Sequence, residues 1–368
     1  MDRKTRNGVS KGFLSLAVIF TLIALGLDLA ARHIPRFADR YTTGVYPFIV
    51  DKIGGFFGKV SFSVRELLIY LLVLWLLFRI LRFFGKIGDW GFFSSLYALI
   101  SSVLFVASVL FLMYTLNCGI NYHRTRFSSE YSFSTEPYSP EDLKLACKYL
   151  TDEVKETYRL VDRDRDGVMR KNDNWGFSAR KAVRRLRNEY PRLDVAYPLP
   201  KRPFIHHILS VPGIRGVYSP FTVEANYNGG MTGYNIPFTM CHELSHLSGF
   251  MNEDEANFIA WLACRSSSDP ALNYSGALSC WIYCTNRLRK LDPAAYVELR
   301  SSLPEEVEKD LAANNAFWAR FPEKASEVHD RINDQYLKIQ GQEEGILTYN
   351  RMVDLVVNLL SDEFAGSN

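Results

Sequence analysis

Three long apolar stretches dominate the first third of this 368-residue sequence. They run from Phe13 to Ala31, from Leu67 to Phe84 and from Trp90 to Leu116, and the third carries no charged residue. A helix needs about 20 apolar residues to cross the hydrocarbon core of a bilayer, so each stretch is close to membrane-spanning length. The sequence therefore predicts a membrane anchor over residues 1–116, with transmembrane helices at about 13–31, 67–84 and 90–116.

Two other interpretations of these stretches are weaker. Buried helices of a soluble protein would not need a run as long and as uniformly apolar as the third stretch. A cleaved signal peptide would explain the basic residues before Phe13. However, the first apolar run is longer than usual for such a peptide, and no small-residue cleavage site follows it.

The lysines and arginines beside the apolar stretches give a weak prediction of orientation. The N-terminal tail is basic, and so are the loops after the first and second stretches. The balance slightly favours a cytoplasmic N terminus, which after three crossings places the C-terminal domain outside the cytoplasm. The cysteines leave this open, because they could form disulfides outside the cell or stay as buried thiols inside it.

The remainder of the chain has the mixed composition of a globular domain. Residues 117–138 are interpreted as a polar, aromatic linker and residues 139–368 as a domain of helices with a small β-sheet. The patterns predict helices at about 139–161, 178–189, 253–264, 274–290, 293–300, 304–320 and 324–339, a strand within 216–228, a turn at 341–345 and an amphipathic segment at 348–360. The helix at 178–189 is strongly basic, which indicates a solvated face or contact with anionic lipid headgroups.

The sharpest chemical motif is His242-Glu243-Leu244-Ser245-His246. On a helix, residues four apart project from the same face, so both imidazoles can bind one zinc ion. Glu243 can reach a water molecule beside such an ion and act as its general base. This His-Glu-x-x-His pattern is the zinc-binding signature of metallopeptidases.

A catalytic zinc ion needs a third protein ligand, which the sequence suggests is Glu253. Gly249 can end the motif helix with a sharp turn, so that the chain folds back toward the metal. Asn252 and Glu255 fit a capping box at the start of the next helix, which leaves Glu253 free to bind the ion. Asn257, one turn further on, is placed to hydrogen-bond a zinc-bound histidine.

The sequence Glu253-Asp254-Glu255-Ala256-Asn257 after the motif resembles that of the gluzincin metallopeptidases, in which a glutamate is the third zinc ligand. The wider sequence resembles a family of uncharacterised bacterial multi-pass membrane proteins with a zincin-like domain. The matching pieces are 218–222, 224–226, 237–239, 242–260, 274–276 and 345–355. The resemblance implies a zincin-like α+β domain after the three transmembrane helices, located at the bacterial cell membrane. Two departures are the short gap from His246 to Glu253 and the amide at Asn257, where Asp is commoner.

The expected function is that of a membrane-anchored zinc metalloendopeptidase, a hydrolase that cleaves a peptide or protein substrate. Tyr274 is the candidate for stabilising the oxyanion, with Tyr218 as a second choice. The strand containing Thr222, Glu224 and Asn226 is expected to bind an extended substrate by main-chain pairing. Because His242 lies far along the chain from any apolar stretch, cleavage within the membrane is not expected.

Two rival functions remain open. The first is a catalytically inactive sensor or scaffold whose zincin-like domain binds zinc or peptide without cleavage. The second is a calcium-responsive module, since Asp162 to Gly167 matches the first half of an EF-hand loop, although Asp173 replaces its usual final glutamate. The charged residues predict no nucleic-acid surface.

Overall fold

A computed structural model describes residues 3–342 and 351–366 of the chain. The predicted fold class is confirmed: these residues are mainly helical, with one small sheet. The predicted turn at 341–345 and the matching piece at 345–355 fall partly outside the described residues. The elements are α1 (Arg3–His33), α2 (Phe37–Gly44), α3 (Tyr46–Ile49), α4 (Gly55–Phe57), α5 (Val64–Trp90), α6 (Phe92–Tyr114), α7 (Phe127–Glu130), α8 (Pro140–Thr157), α9 (Trp175–Leu186), α10 (His207–Ser210), β1 (Gly216–Ser219), β2 (Glu224–Tyr227), α11 (Asn235–Leu247), α12 (Glu253–Arg265), α13 (Pro270–Leu291), α14 (Pro293–Ser301), α15 (Glu305–Trp318), α16 (Glu323–Ile339) and α17 (Arg351–Gly366).

Three helices near the N terminus are long and apolar enough to cross a membrane, as the sequence predicts. Their apolar runs extend over Val9–His33, Val64–Trp90 and Phe92–His123. Helix α6 packs against both α1 and α5. The large apolar side chains on the outside of this bundle are exposed, as lipid-facing side chains must be in a membrane protein. The three helices are thus compatible with a multi-pass membrane protein.

The zinc-motif helix α11 lies at the centre of the globular part. It packs against α9, α12, α13 and both strands, and 12 of its 13 residues are buried. Around it, Phe250, Phe258, Trp261 and Tyr274 have almost no exposed surface. A helix surrounded in this way is held rigidly, which suits a site that must keep several side chains in fixed positions.

The region around 216–228 forms an antiparallel hairpin rather than the single strand that we predict from the sequence. Gly216 of β1 pairs with Tyr227 of β2, and Ser219 pairs with Glu224 at the turn. Val223, in the connection, has a φ of 51°, a left-handed value that is unusual for a β-branched residue. The hairpin lies directly against α11.

The core of the globular part also includes segments that precede residue 139. Tyr46, in the loop between the first two apolar helices, is fully buried, and its hydroxyl donates to the carbonyl of Leu247 at 3.0 Å. Within the expected linker, Cys118, Ile120 and Phe127 are buried in the same core. The membrane-length helices are therefore packed tightly into the domain rather than joined to it by a free linker.

All six cysteines are free and buried, which answers the question left open by the sequence. In this structure they are packing thiols, not disulfides.

Candidate metal centre

Helix α11 presents His242 and His246 on one face, as their spacing predicts. Their Nε2 atoms lie 3.0 Å apart. The helix ends just before Gly249, whose φ of 93° allows the chain to reverse direction. The next helix, α12, begins at Glu253. The Oε2 atom of Glu253 lies 3.3 Å from Nε2 of His242 and 3.6 Å from Nε2 of His246.

The spacing of these three atoms fits a zinc ion. Zinc bonds of 2.0–2.1 Å in a tetrahedral arrangement place ligand atoms roughly 3.3 Å apart. The Nδ1 atom of His246 lies 2.9 Å from the carbonyl of Phe250, so it carries the ring proton and leaves Nε2 with a free lone pair. Among the described residues, His242, His246 and Glu253 are the one group of metal-ligating side chains that converges in this way.

Burial and the contacts among the three residues set their electrostatics. Burial would raise the pKa of Glu253, but His246 and His242 hold it well below its usual range. Burial would lower the pKa of His246, but the Glu253 carboxylate raises it to about 9. Burial and the neighbouring His246 lower the pKa of His242. A divalent cation would therefore compete with a proton at His246 and would be drawn to the ionised Glu253.

Glu243 lies on the same helix as His242 and His246. It is 3% exposed, and its Oε2 atom has no hydrogen-bond partner among the described residues. Burial raises the pKa of Glu243 to about 8, although His246 and the backbone N–H of Tyr218 act in the opposite direction. A buried carboxylate oxygen without a partner is available to a water molecule or a substrate. This is the arrangement that a general base requires.

The three ligands and Glu243 open onto a cavity of about 570 Å³. The sequence analysis missed most of its other polar residues, because they come from distant parts of the chain and show no ligand spacing. Strand β1, the end of the third apolar run and helix α16 all contribute to its walls. The polar side chains that line it besides the four named above are Cys118, Tyr122, Arg215, Tyr218, Thr239, Asn257, Tyr283, His329, Asp330, Asn333 and Tyr336.

The prediction that Tyr274 stabilises an oxyanion is wrong for this structure. Tyr274 is fully buried, and its hydroxyl donates to Oδ2 of Asp310 at 2.6 Å. The same carboxylate pairs with Arg163, at 2.9 Å. Tyr274 is not among the residues that line the cavity. Its hydroxyl is held in a buried polar cluster, so its role is structural.

Tyr218, the second candidate, lines the cavity, but its hydroxyl points elsewhere. That oxygen lies 3.0 Å from the hydroxyl of Tyr46 and donates to the carbonyl of Asn117 at 3.1 Å. The backbone N–H of Tyr218 does reach the site: it donates a hydrogen bond to the carboxyl group of Glu243, which acts to lower the pKa of that group.

The strand that the sequence suggests for substrate binding does not border the cavity. Strand β2 is covered on both sides, because β1 pairs with one edge and Lys201 bridges to Asn226 on the other. Asn226 accepts from the Ser63 hydroxyl at 2.6 Å. The strand that borders the cavity is β1, through Gly216 to Tyr218. An extended peptide could therefore pair only with β1.

Glu224 instead anchors a membrane-length helix. Its buried carboxylate pairs with Lys201 and accepts from the Thr222 hydroxyl at 2.8 Å. It also accepts from the backbone N–H groups of Val64 and Arg65 at 3.3 and 2.8 Å. These belong to the first turn of α5, where unpaired N–H groups attract negative charge. Thr222, Glu224 and Asn226 thus hold α5 to the domain.

The residues around Glu253 differ in detail from the prediction. Asn252 precedes α12 but makes no side-chain capping bond. Glu255 does have a structural role, but with other partners, since it accepts from both the backbone N–H and the hydroxyl of Ser128 at 3.0 Å. Asn257 is buried beside His242 and acts to raise its pKa, while Nδ1 of His242 makes no hydrogen bond within the described residues.

The loop at Asp162 to Asp173 contains a tight turn at Asp164. Oδ1 of Asp164 accepts from the backbone N–H groups of Asp166 and Val168, each at 3.0 Å. Gly167 takes a φ of 82° within this turn. The carboxylates of the loop do not converge on a common point in the described part of the chain.

Comparison with known proteins identifies a family but no function. A family model described as a protein of unknown function (DUF3810) matches residues 41–357. Since the match spans most of the sequence, the chain belongs to this family. No curated protein and no solved structure matches the chain.

Proposed function

We propose that this member of the DUF3810 family is a membrane-anchored, zinc-dependent metallopeptidase. The observation that carries the proposal is the convergence of two Nε2 atoms and one Oε2 atom, from His242, His246 and Glu253, at separations of 3.0 to 3.6 Å. Tetrahedral zinc requires this spacing. The Oε2 atom of Glu243, which has no hydrogen-bond partner among the described residues, supports hydrolysis rather than a purely structural metal site.

The residues have distinct roles in the proposed reaction. His242, His246 and Glu253 would hold the ion, which when bound supplies a Lewis acid that makes water nucleophilic near neutral pH. Glu243 removes a proton from the attacking water and delivers it to the leaving amine. The buried position of Glu243 beside the three candidate ligands suits a group that must both accept and return a proton.

Substrate binding is assigned to β1. This strand borders the cavity on the side of Glu243, and its outer edge can pair with an extended peptide. Tyr283 and Tyr336 line the cavity and can offer hydroxyl donors to an oxyanion, in place of Tyr274.

The test uses the full-length chain, purified in detergent. Zinc content is measured by mass spectrometry, and cleavage is measured with a library of fluorogenic peptides. We expect one equivalent of zinc, lost in His242→Ala and kept in Glu243→Gln, with cleavage lost in both. His207→Ala, which changes a histidine outside the site, is the matched control. One equivalent of zinc without any cleavage by the wild-type chain would refute the peptidase and favour the non-catalytic sensor or scaffold.

A further inference from the structure

The metal cavity lies at the end of a membrane-length helix. Cys118 and Tyr122 line the cavity, and both belong to the apolar run Phe92–His123. The Cys118 thiol lies 3.7 Å from the sulfur of Met251, which also lines the cavity. With a rise of about 1.5 Å per residue, these two residues lie within roughly 10 Å of Leu116, where the charge-free stretch ends. His242 is remote from the membrane in sequence but not in space.

An exposed apolar surface, which we call the first rim, directly precedes a cavity-lining segment in the chain: Phe204, Ile205, Ile208 and Val211. These side chains are 42–77% exposed. The backbone N–H groups of Phe204 and Ile205 donate to Glu66 at 2.7 and 2.9 Å, which ties the rim to the first turn of α5. Cavity-lining residues begin only two positions after the rim, at Gly213.

Helix α16 also borders the cavity and carries a second exposed apolar surface. One of its faces lines the cavity through His329, Asn333 and Tyr336. The adjacent face carries the second rim, which consists of Val328, Ile332 and Ile339, with exposures of 51–67%.

The second rim is also tied to the membrane-length helices. The carbonyl of Ile339 accepts from Arg32 at the end of α1, at 3.2 Å. The hydroxyl of Tyr336 accepts from that of Tyr114 at the end of α6, at 2.9 Å. The first rim and helix α16 together therefore contact the ends of all three apolar helices.

Apolar surface of this extent is seldom left in water. Both rims are continuous with the ends of helices whose own surfaces are suited to lipid, so the same bilayer can cover the rims. Apolar side chains at such a position enter the boundary between headgroups and acyl chains.

We propose that both rims rest on the bilayer, so that the metal cavity opens at the membrane surface and receives the juxtamembrane segment of a membrane-anchored polypeptide. The substrate class rests on the proposed peptidase function. The position of the rims on the bilayer does not, and it can be measured separately.

The first experiment measures the position of the rims in the full-length chain reconstituted in nanodiscs of phosphatidylcholine and phosphatidylglycerol. Nitroxide labels are attached at Ile208→Cys and Ile332→Cys, with Val297→Cys on α14 as a control of similar exposure. The native cysteines are all buried, so labelling is selective. We expect the rim labels to be accessible to oxygen and protected from a water-soluble nickel chelate, and the control to show the reverse. Equal nickel accessibility at all three positions would overturn the membrane position of the rims.

The second experiment compares two substrates with the same target sequence in the same nanodiscs. One is fused to a single transmembrane helix, and the other is free in solution. We expect the anchored substrate to be cleaved at least tenfold faster, because anchoring raises its local concentration. Ile208→Ser should reduce this advantage, because a weaker rim contact holds the cavity less firmly against the bilayer, and it should not change cleavage of the free peptide. The matched Phe177→Ser should change neither rate.

The outcomes separate the two proposals. Equal rates for both substrates would refute the membrane-anchored substrate class and leave the peptidase function standing. Cleavage of neither substrate would refute the peptidase function and the substrate class together, and the label accessibility would still decide whether the rims lie on the bilayer.

Discussion

Gly216 of β1 has no side chain, and Glu243 occupies the space where a Cβ atom would lie. The substitution Gly216→Ala is therefore a direct test of the proposed general base. A Cβ atom at this position would lie 2.8 Å from both Cγ and Cδ of Glu243. Carbon atoms pack at about 3.5 Å or more, so the carboxyl group would have to move by about 0.7 Å. The backbone of Gly216 does not have a positive φ, so alanine adds no backbone strain. A displacement of this size at a reacting group predicts a loss of roughly 30-fold in kcat/KM, or about 2 kcal/mol.

The assay compares Gly216→Ala with Gly176→Ala, since a Cβ at residue 176 would find its nearest neighbour at 3.8 Å. Both variants should keep one equivalent of zinc, because neither touches a metal ligand, and only Gly216→Ala should lose activity. Activity within twofold of wild type in Gly216→Ala would refute the role of Glu243 at this position. Loss of zinc together with activity would show that the added methyl group disrupts the metal site rather than the base.

Three further substitutions test other parts of the structure. Glu253→Gln should weaken zinc binding at least tenfold in a competition assay with a chelator, whereas Glu255→Gln should keep the zinc; the opposite pattern would overturn the ligand assignment. Tyr274→Phe should leave kcat/KM unchanged but lower the free energy of unfolding by about 1–3 kcal/mol, because its buried aspartate partner loses one donor; an activity loss without a stability change would restore its catalytic role. Lys201→Met should destabilise the protein by about 3 kcal/mol in thermal unfolding, because Glu224 keeps its buried charge and loses its cation; an unchanged melting temperature would contradict this reasoning.

Many helix ends and part of the candidate site could be predicted from the sequence, because the interactions that fix them act between residues close together in the chain. The ends of α12 to α16 agree with the sequence within a few residues, since caps, prolines and helical periodicity act over one or two turns. The approach of His242 to His246 follows in the same way from helix geometry. Glu253 was predicted from the turn at Gly249 and from a capping box of Asn252 and Glu255; the turn forms, whereas Asn252 makes no side-chain capping bond.

Predictions that required a long-range partner were less successful. Tyr274 looked available, but Asp310, 36 residues later, takes its hydroxyl. Glu224 looked like part of a substrate strand, but it is held by the first turn of α5, about 160 residues earlier. No pattern within a short window contains either partner, so no local rule could assign these side chains.

The sequence alone determined that three helices are long and apolar enough for a membrane and that two histidines share one helix face. Both properties depend only on residues close together along the chain. The tertiary structure decided that the ends of those apolar helices lie against the cavity containing the histidines, that β1 rather than β2 borders the cavity, and that Glu224 holds a membrane-length helix. These arrangements depend on packing between segments that are distant in the sequence, in two of the three cases more than a hundred residues apart, and the burial of one segment decides which groups of another remain free.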